Sequence, residues 1–404
     1  MLTGIIEQVD PAKWKLAPHV TELEASIIRE ILKITTRPGV ISFAGGLPAP
    51  ELFPIETVKE LAAYVLDTYG AAAMQYSLSA GITPLRELLA ERATGRGTAS
   101  RTENILITAG AQQGIELLGR AFIAPGDYVL VENPTYLGAL QVFNYYRAQY
   151  CVVEMDDEGM LIDQVEKQLE TYHPKLIYTV SNFQNPTGIT MSVERRKALI
   201  EIAGRYNVPI IDDNPYGELQ FSDERIPTLK SIGGDEVVAL RTFSKLVSPG
   251  FRVGWMNGPT EVIEQFEKVK QCVDLHANTF AQYLMLEFIK QGYLEPHVEK
   301  IRADYKAKRD TMLAALAEYF PPEITWTRPE GGMFIWLRLP SKLSAKELLN
   351  KAVERQVAYV YGEPFYPLGG GEHTMRLNYS NATHETIREG IKRLGDLFKA
   401  ELAG

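Results

Sequence analysis

Residues 237–256 read VVALRTFSKLVSPGFRVGWM. Two continuous apolar runs, VVALRTF (237–243) and VGWM (253–256), flank a loop that holds Ser244, Lys245, Pro249, Gly250 and Arg252. Runs this short, apolar throughout and bounded by Pro and Gly, fit strands covered on both faces. Toward the N-terminus the pattern repeats as VPIIDD (208–213), LIYTV (176–180), YCVVEM (150–155), YVLVE (128–132) and ILIT (105–108). Helical periods separate the runs. In AQQGIELLGRAFI (111–123), for example, Ile115, Leu118 and Phe122 share one face. Strands alternating with helices require crossover connections, so the expected fold is α/β: a mostly parallel sheet flanked by helices.

Toward the C-terminus the character changes. Residues 260–319 are helical, with breaks expected near Gly292 and Pro296. Then come the strands ITW (324–326) and MFIWLRL (333–339), a helix over 344–355, the strands VAYVY (357–361) and TMRLNYS (374–380), and a last helix. This predicts a smaller α+β domain. At the other end, an amphipathic helix is expected over 21–33, followed by the irregular stretch RPGVISFAGGLPAPELFP (37–54). The expected organisation is a large domain over 51–290 and a small domain over 291–404, which residues 1–50 join as a helix and pocket-lining segment.

The 404 residues are 45% hydrophobic and 23% charged, a globular composition. A net charge of -9 disfavours nucleic acid and anionic membranes as partners. Two cysteines, Cys151 and Cys272, are too few for a disulfide framework. The N-terminus lacks the apolar core of a secretory signal, and no apolar run approaches the ~20 residues of a membrane span. The expected location is the cytoplasm. The histidines are scattered and neither HExxH nor CxxC occurs, so no metal is expected. No GxxxxGK[ST] is present, and no GxGxxG follows a strand.

Lys245 leaves the end of an apolar strand, where desolvation lowers an amine's pKa and frees it as a nucleophile. Arg252, a short loop away, is placed to hold an anion such as a phosphate.

Four motifs carry a resemblance over nearly the whole chain: SNFQNPTG (181–188), DDNPYG (212–217), TFSKLVSPGFRVG (242–254) and MRLNY (375–379). In this order and spacing they resemble the pyridoxal-phosphate aminotransferases of fold type I, with their seven-stranded-type sheet in the large domain. ISFAGGLPAPELFP (41–54), MQYSLSAG (74–81), ITAGAQQGIELL (107–118) and NPTYLGAL (133–140) are most similar to the 2-aminoadipate and kynurenine aminotransferase branch.

The resemblance implies roles residue by residue. Lys245 would bind the cofactor aldehyde and serve as general base and acid. Asp213 would pair with the pyridinium nitrogen and stay ionised. Tyr216 and Asn185 would hydrogen-bond the phenolic oxygen, and Tyr136 would stack on the ring. Backbone amides of Gly110, Ala111 and Gln112, with Ser244 and Arg252, would hold the phosphate. Ala111 stands where the branch often has serine, so one hydroxyl contact is missing. Tyr76 would come from a neighbouring subunit, implying a homodimer with a shared active site. Arg376, assisted by Asn185, would grip the substrate α-carboxylate. Gly46 would line the substrate pocket, Phe43, Leu47 and Phe53 would give it an apolar wall, and Arg29 would read a distal carboxylate.

The implied reaction moves the amino group of an L-amino acid (2-aminoadipate, aromatic, aliphatic or branched) to a 2-oxo acid, most naturally 2-oxoglutarate. A racemase, lyase or decarboxylase could use the same lysine and aspartate. The aminotransferase-like domain of MocR-type regulators lies near the same branch. That reading expects a winged helix ahead of the match, which begins near residue 20.

Overall fold

The computed structural model describes residues 14–21 and 39–403. The helix expected over 21–33 falls outside them apart from Thr21, which ends the helical turn Pro18–Thr21.

Every apolar run from 105 to 257 contributes to one eight-stranded sheet. Its spatial order is Ile105–Thr108, Gly254–Asn257, Val237–Thr242, Ile210–Asp213, Ile177–Thr179, Tyr128–Asn133, Gln149–Asp156, Gly159–Met160. The central pairings, from 237–242 across to 149–156, are all parallel. Two features depart from the expectation. The 254–257 strand runs antiparallel to both neighbours. The loop 243–253 that precedes it is too short for the helical crossover a parallel strand needs. Gly159–Met160 is an extra edge strand, folded back on 149–156 through Asp157 and Glu158.

Helices cover both faces, which is why the strands carry no polar alternation. Ile105, Leu106, Ile107, Ile210 and Ile211 are fully buried. The helix Ala111–Phe122 sits directly on the sheet through Gly114, where a Cβ would come within 3.0 Å of Leu240. Such contact favours glycine, since any side chain here would have to push the Leu240 methyl aside by a few tenths of an ångström.

The segment after Pro259 forms three helices, Thr260–Gln271, Thr279–Lys290 and Leu294–Tyr319. One break falls at Gly292, in the left-handed region at φ +79, as expected. Pro296 is no break: it lies in the first turn of the long helix, where its missing N–H costs nothing. The break over 272–278 left no mark in the apolar pattern.

A four-stranded antiparallel sheet follows, in the order Thr325–Trp326, Phe334–Arg338, Thr374–Asn378, Val360–Tyr361. The expected strand VAYVY splits at Tyr359, because Val357–Ala358 turns away to pair in parallel with Ile41–Ser42. Phe43 N–H then donates to the Ala358 carbonyl at 2.8 Å, and Asn378 N–H donates to the Phe43 carbonyl at 2.8 Å. These bonds fix the path of residues 43–47 past the large sheet. The Phe43 ring is fully buried against Gly390 of the last helix, His384–Ala403. It is therefore a core residue and not part of a pocket wall.

Candidate active site

The parallel strands end on one edge, and loops leaving that edge carry the motif residues, as the topology of an open α/β sheet dictates. Asp213 closes the 210–213 strand and is 2% exposed. Its Oδ2 accepts a hydrogen bond from the Tyr178 hydroxyl at 2.6 Å, while Oδ1 has no partner. Burial pushes this carboxyl up to about 7, against the lowering effect of the Tyr178 bond, with Asp212 adding to the rise. A buried carboxyl of this kind is either held neutral by a proton or ionised beside a cation.

Lys245 lies just beyond the 237–242 strand, and its Nζ donates to the Gly46 carbonyl at 2.7 Å. Burial, then the charges of Arg376 and Arg252, lower its amine to about 8. A substantial neutral fraction therefore exists near neutral pH, the condition for a nucleophile or base.

Arg376 sits mid-strand in 374–378 and is 1% exposed. Nη1 donates to Asn185 Oδ1 and Nη2 to the Ala44 carbonyl, both at 2.6 Å, while Nε is buried without a partner. The guanidinium lies over the rings of Phe334 at 4.3 Å and Phe365 at 5.3 Å. Burial pulls Arg376 down to about 10, which leaves it charged. Asn185 also hydrogen-bonds the side chain of Tyr216, whose hydroxyl burial drives well above its ordinary range. Lys245 and Arg376 thus converge, anchored on carbonyls two residues apart.

The third corner is built for an anion. Gly110, at φ +84, caps the helix Ala111–Phe122 with no side-chain acceptor for the first amides. The N–H groups of Ala111 and Gln112 therefore point out of the helix end, where its dipole favours negative charge. A Cβ on Gly110 would meet Arg252 Nη2 at 2.6 Å. Arg252, itself left-handed at φ +52, donates to Ser244 Oγ at 3.3 Å and to the Ala109 carbonyl at 2.9 Å. The Gln112 side chain faces elsewhere: Nε2 donates to the Gly138 carbonyl at 2.9 Å, and Oε1 receives the Tyr136 hydroxyl at 3.5 Å. Burial raises the Tyr136 phenol to about 12, with Asp213 adding to the rise.

The structure thus brings Gly110, Ala111, Gln112, Ser244 and Arg252 together, and gathers Gly46, Tyr136, Asn185, Asp213, Tyr216, Lys245 and Arg376 beside them. Tyr76 is not among them. It is 78% exposed and packs edge-on to His276. Arg29 lies outside the described residues. Sequence reasoning missed Tyr178. Its signal is the strand register, since Tyr178 pairs with Ile211 and so stands diagonal to Asp213 on one face.

A buried amine, a carboxylate without a cation, a buried arginine with a free Nε and a helix N-terminus beside Arg252 thus lie together at one edge of the sheet. Comparison with known proteins supplies the family. Residues 49–394 match the family model for aminotransferase class I and II. Aromatic-amino-acid aminotransferase 1 of Thermococcus litoralis is 46% identical, covering 94% of this chain and 93% of that protein. The 2-aminoadipate transaminase of Thermus thermophilus is 41% identical over 97% of this chain and 99% of its own. The crystal structure of Pyrococcus horikoshii kynurenine aminotransferase, in complex with PMP, KYN as substrates and KYA as products, superimposes with a TM-score of 0.92. Its sequence is 43% identical, over 96% of this chain and 97% of that one. The chain belongs to the aminotransferase class I and II family and is a pyridoxal-phosphate-dependent transaminase of amino acids.

The residues present fit that cofactor. The unpartnered Asp213 Oδ1 suits a cationic ring nitrogen, and the Gly110–Arg252 corner suits a phosphate. Among the described residues no helix is long and apolar enough to cross a membrane.

Proposed function

We propose that this enzyme transfers the amino group of aromatic and 2-aminoadipate-type amino acids to 2-oxoglutarate. The observation that carries the reading is the convergence of Lys245 and Arg376 on the 44–46 segment, opposite an uncompensated Asp213. Pyridoxal phosphate, when bound, supplies the electron sink for the charge left at the substrate α-carbon.

The chain's own groups do the rest. The Lys245 amine takes and returns the proton at that carbon. The free N–H groups of Arg376, Nε included, grip the α-carboxylate, and Asn185 holds the guanidinium in place. Asp213 holds the proton on the ring nitrogen through its charge, with Tyr178 orienting it. Tyr216 and Asn185 donate to the phenolic oxygen, and Tyr136 covers the ring face. The amides of Gly110, Ala111 and Gln112 bind the phosphate with Ser244 and Arg252. Gly46 lines the pocket through its carbonyl, which holds Lys245, and as glycine it lets this segment pass close to the Phe334 ring.

The working unit in this reading is a homodimer in which the partner supplies Tyr76. Exposed apolar side chains at Met74, Tyr76, Leu78 and Leu275 support it. So does the Tyr76–His276 contact, which joins their two segments. The division into domains at about residues 50 and 290 draws support from the two separate sheets. Pairing of 41–42 with 357–358 favours counting the N-terminal segment with the small domain. Two free cysteines, one exposed, suit a reducing cytoplasm.

The test is the visible absorbance of the loaded enzyme during half-reactions with a donor panel. Aromatic amino acids and 2-aminoadipate should bleach the cofactor band, and 2-oxoglutarate alone should restore it. A band unmoved by all of these donors, or restored only by another oxo acid, would overturn the substrate assignment.

A further inference from the structure

Glu132 is the last residue but one of the 128–133 strand and is 1% exposed. Among the described residues no cation touches it. Its Oε1 accepts from the Thr179 hydroxyl, and its Oε2 accepts from Val180 N–H at 3.2 Å and from Gln184 Nε2 at 2.8 Å. A carboxylate buried among neutral donors is costly, and a hydrophobic residue of similar volume would avoid that cost. What the carboxylate alone provides is two oxygens that only accept, facing three converging donors.

The donor that matters is Gln184, itself fully buried. Its Nε2 also reaches the Pro134 carbonyl at 2.8 Å, while its Oε1 accepts from Thr187 N–H at 3.1 Å and from the Thr187 hydroxyl at 2.6 Å. The Thr187 carbonyl in turn accepts from the Thr327 hydroxyl at 2.7 Å. Glu132 therefore orients one amide that is bonded to two loops at once. The first loop, 134–136, ends in Tyr136. The second, 184–188, carries Asn185, which holds Arg376 Nη1.

We propose that Glu132 is a positioning residue for transamination: through Gln184 it locks the Tyr136 loop to the Asn185 loop, fixing the ring-covering group relative to the carboxylate grip. The proposal rests on the roles given to Tyr136, Asn185 and Arg376 above. In Glu132→Gln one of the two accepting oxygens becomes an N–H₂, which leaves a single acceptor for the Thr179, Val180 and Gln184 donors. The double exchange Glu132→Gln with Gln184→Glu restores a donor–acceptor match between the two side chains but takes the donor away from the Pro134 carbonyl, so the two loops stay unlocked.

The measurements are KM and kcat for the best amino donor, cofactor dissociation from the loaded enzyme, and the thermal midpoint. They compare wild type, Glu132→Gln, Gln184→Ala, the double exchange and Asn185→Ala. Misplacing a group that binds ground and transition states alike raises KM more than it lowers kcat. Glu132→Gln and Gln184→Ala should each raise KM about tenfold, the loss of roughly one charge-assisted hydrogen bond, with kcat within about threefold. Both should also release cofactor faster, a readout independent of turnover, and the double exchange should leave the KM raised because the bond to the Pro134 carbonyl is not restored.

Lower thermal midpoints with unchanged KM and cofactor release would make Glu132 a packing element and overturn the proposal. That result together with a raised KM in Asn185→Ala would leave the reading of Asn185 standing. An unchanged KM in Asn185→Ala would overturn both. Should Glu132→Gln fail to fold, Gln184→Ala decides alone.

Discussion

Two buried carboxylates at the ends of nearby strands meet the same environment with opposite provisions. Asp213 has one donor, Tyr178, and an oxygen left bare. Glu132 has three donors spread over both oxygens. Burial pushes each up to about 7. The scaffold takes up both oxygens of Glu132, whereas the bare oxygen of Asp213, in the site with Lys245 and Arg376, is a socket for something the chain does not supply. The same division runs through the whole site. Arg376 Nε is bare and the Lys245 amine is lowered to about 8, while the Gln184 amide has partners at both ends.

The largest expected effect falls on the reactive side of that division. Lys245→Ala removes the group assigned to move the proton and should cut kcat by about 10⁴-fold or more. The thermal midpoint should move little, since Lys245 contributes only its bond to the Gly46 carbonyl. Stopped-flow half-reactions check the rate and calorimetry checks the fold. Appreciable turnover in this variant would break the comparison at its root.

Next comes Asp213→Asn, expected to lower kcat by about 10²–10³-fold, the usual cost of losing one preorganised electrostatic partner. The pH dependence of stability sharpens this. For both acids the folded pKa lies above the unfolded value. The stability each contributes is therefore full below about pH 4 and is lost as pH rises toward the folded value of about 7. Loading with cofactor should abolish this dependence for Asp213, which gains a cation, and leave it for Glu132. Thermal midpoints from pH 4 to pH 8, with and without cofactor, test the difference. Asp213→Asn should flatten the profile of the unloaded protein and change that of the loaded protein little. An equal response of both forms would erase the distinction between socket and scaffold.

How much of this was legible in the sequence depends on the kind of bond. Lys245, Asp213 and Arg376 stand in motifs whose spacing survives folding, because each lies within a strand or a few residues past its end, and Asn185 stands in a contiguous loop motif, SNFQNPTG. The strand series was equally legible, since burial on both faces writes itself as unbroken apolar runs. The antiparallel 254–257 strand could have been inferred from loop length but was read as one more member of the series. Tyr178 was hidden because a tyrosine inside LIYTV looks like core until register sets it diagonal to Asp213. Glu132 was hidden for a related reason: its partners Thr179 and Gln184 lie 47 and 52 residues away. Phe43, read as a pocket wall, is core because the Ile41–Ser42 pairing with Val357–Ala358 turns it onto the last helix.

The smallest effect tests Tyr178 itself. Its hydroxyl donates to the Asp213 oxygen that faces away from the bare one, so it orients the carboxylate without contacting ligand. Burial and the charge of Asp213 hold the phenol well above its ordinary range, so it remains a donor at every working pH. Removing that bond lets the carboxylate rotate and raises the cost of its ionised form, because hydrogen bonding to the charged state is lost. Tyr178→Phe should lower kcat by about three- to tenfold, consistent with one hydrogen bond to a charged group, and leave KM for the amino donor unchanged, since Arg376 is untouched. In the unloaded protein the loss of stability with rising pH should extend to higher pH and grow in total, because the Asp213 pKa moves further up once its donor is gone. Phe143 packs edge-on to the Tyr178 ring at 5.7 Å, so the phenylalanine ring keeps its packing and the fold is preserved. A kcat equal to wild type would mean that the strand end alone orients Asp213 and that Tyr178 belongs with the scaffold.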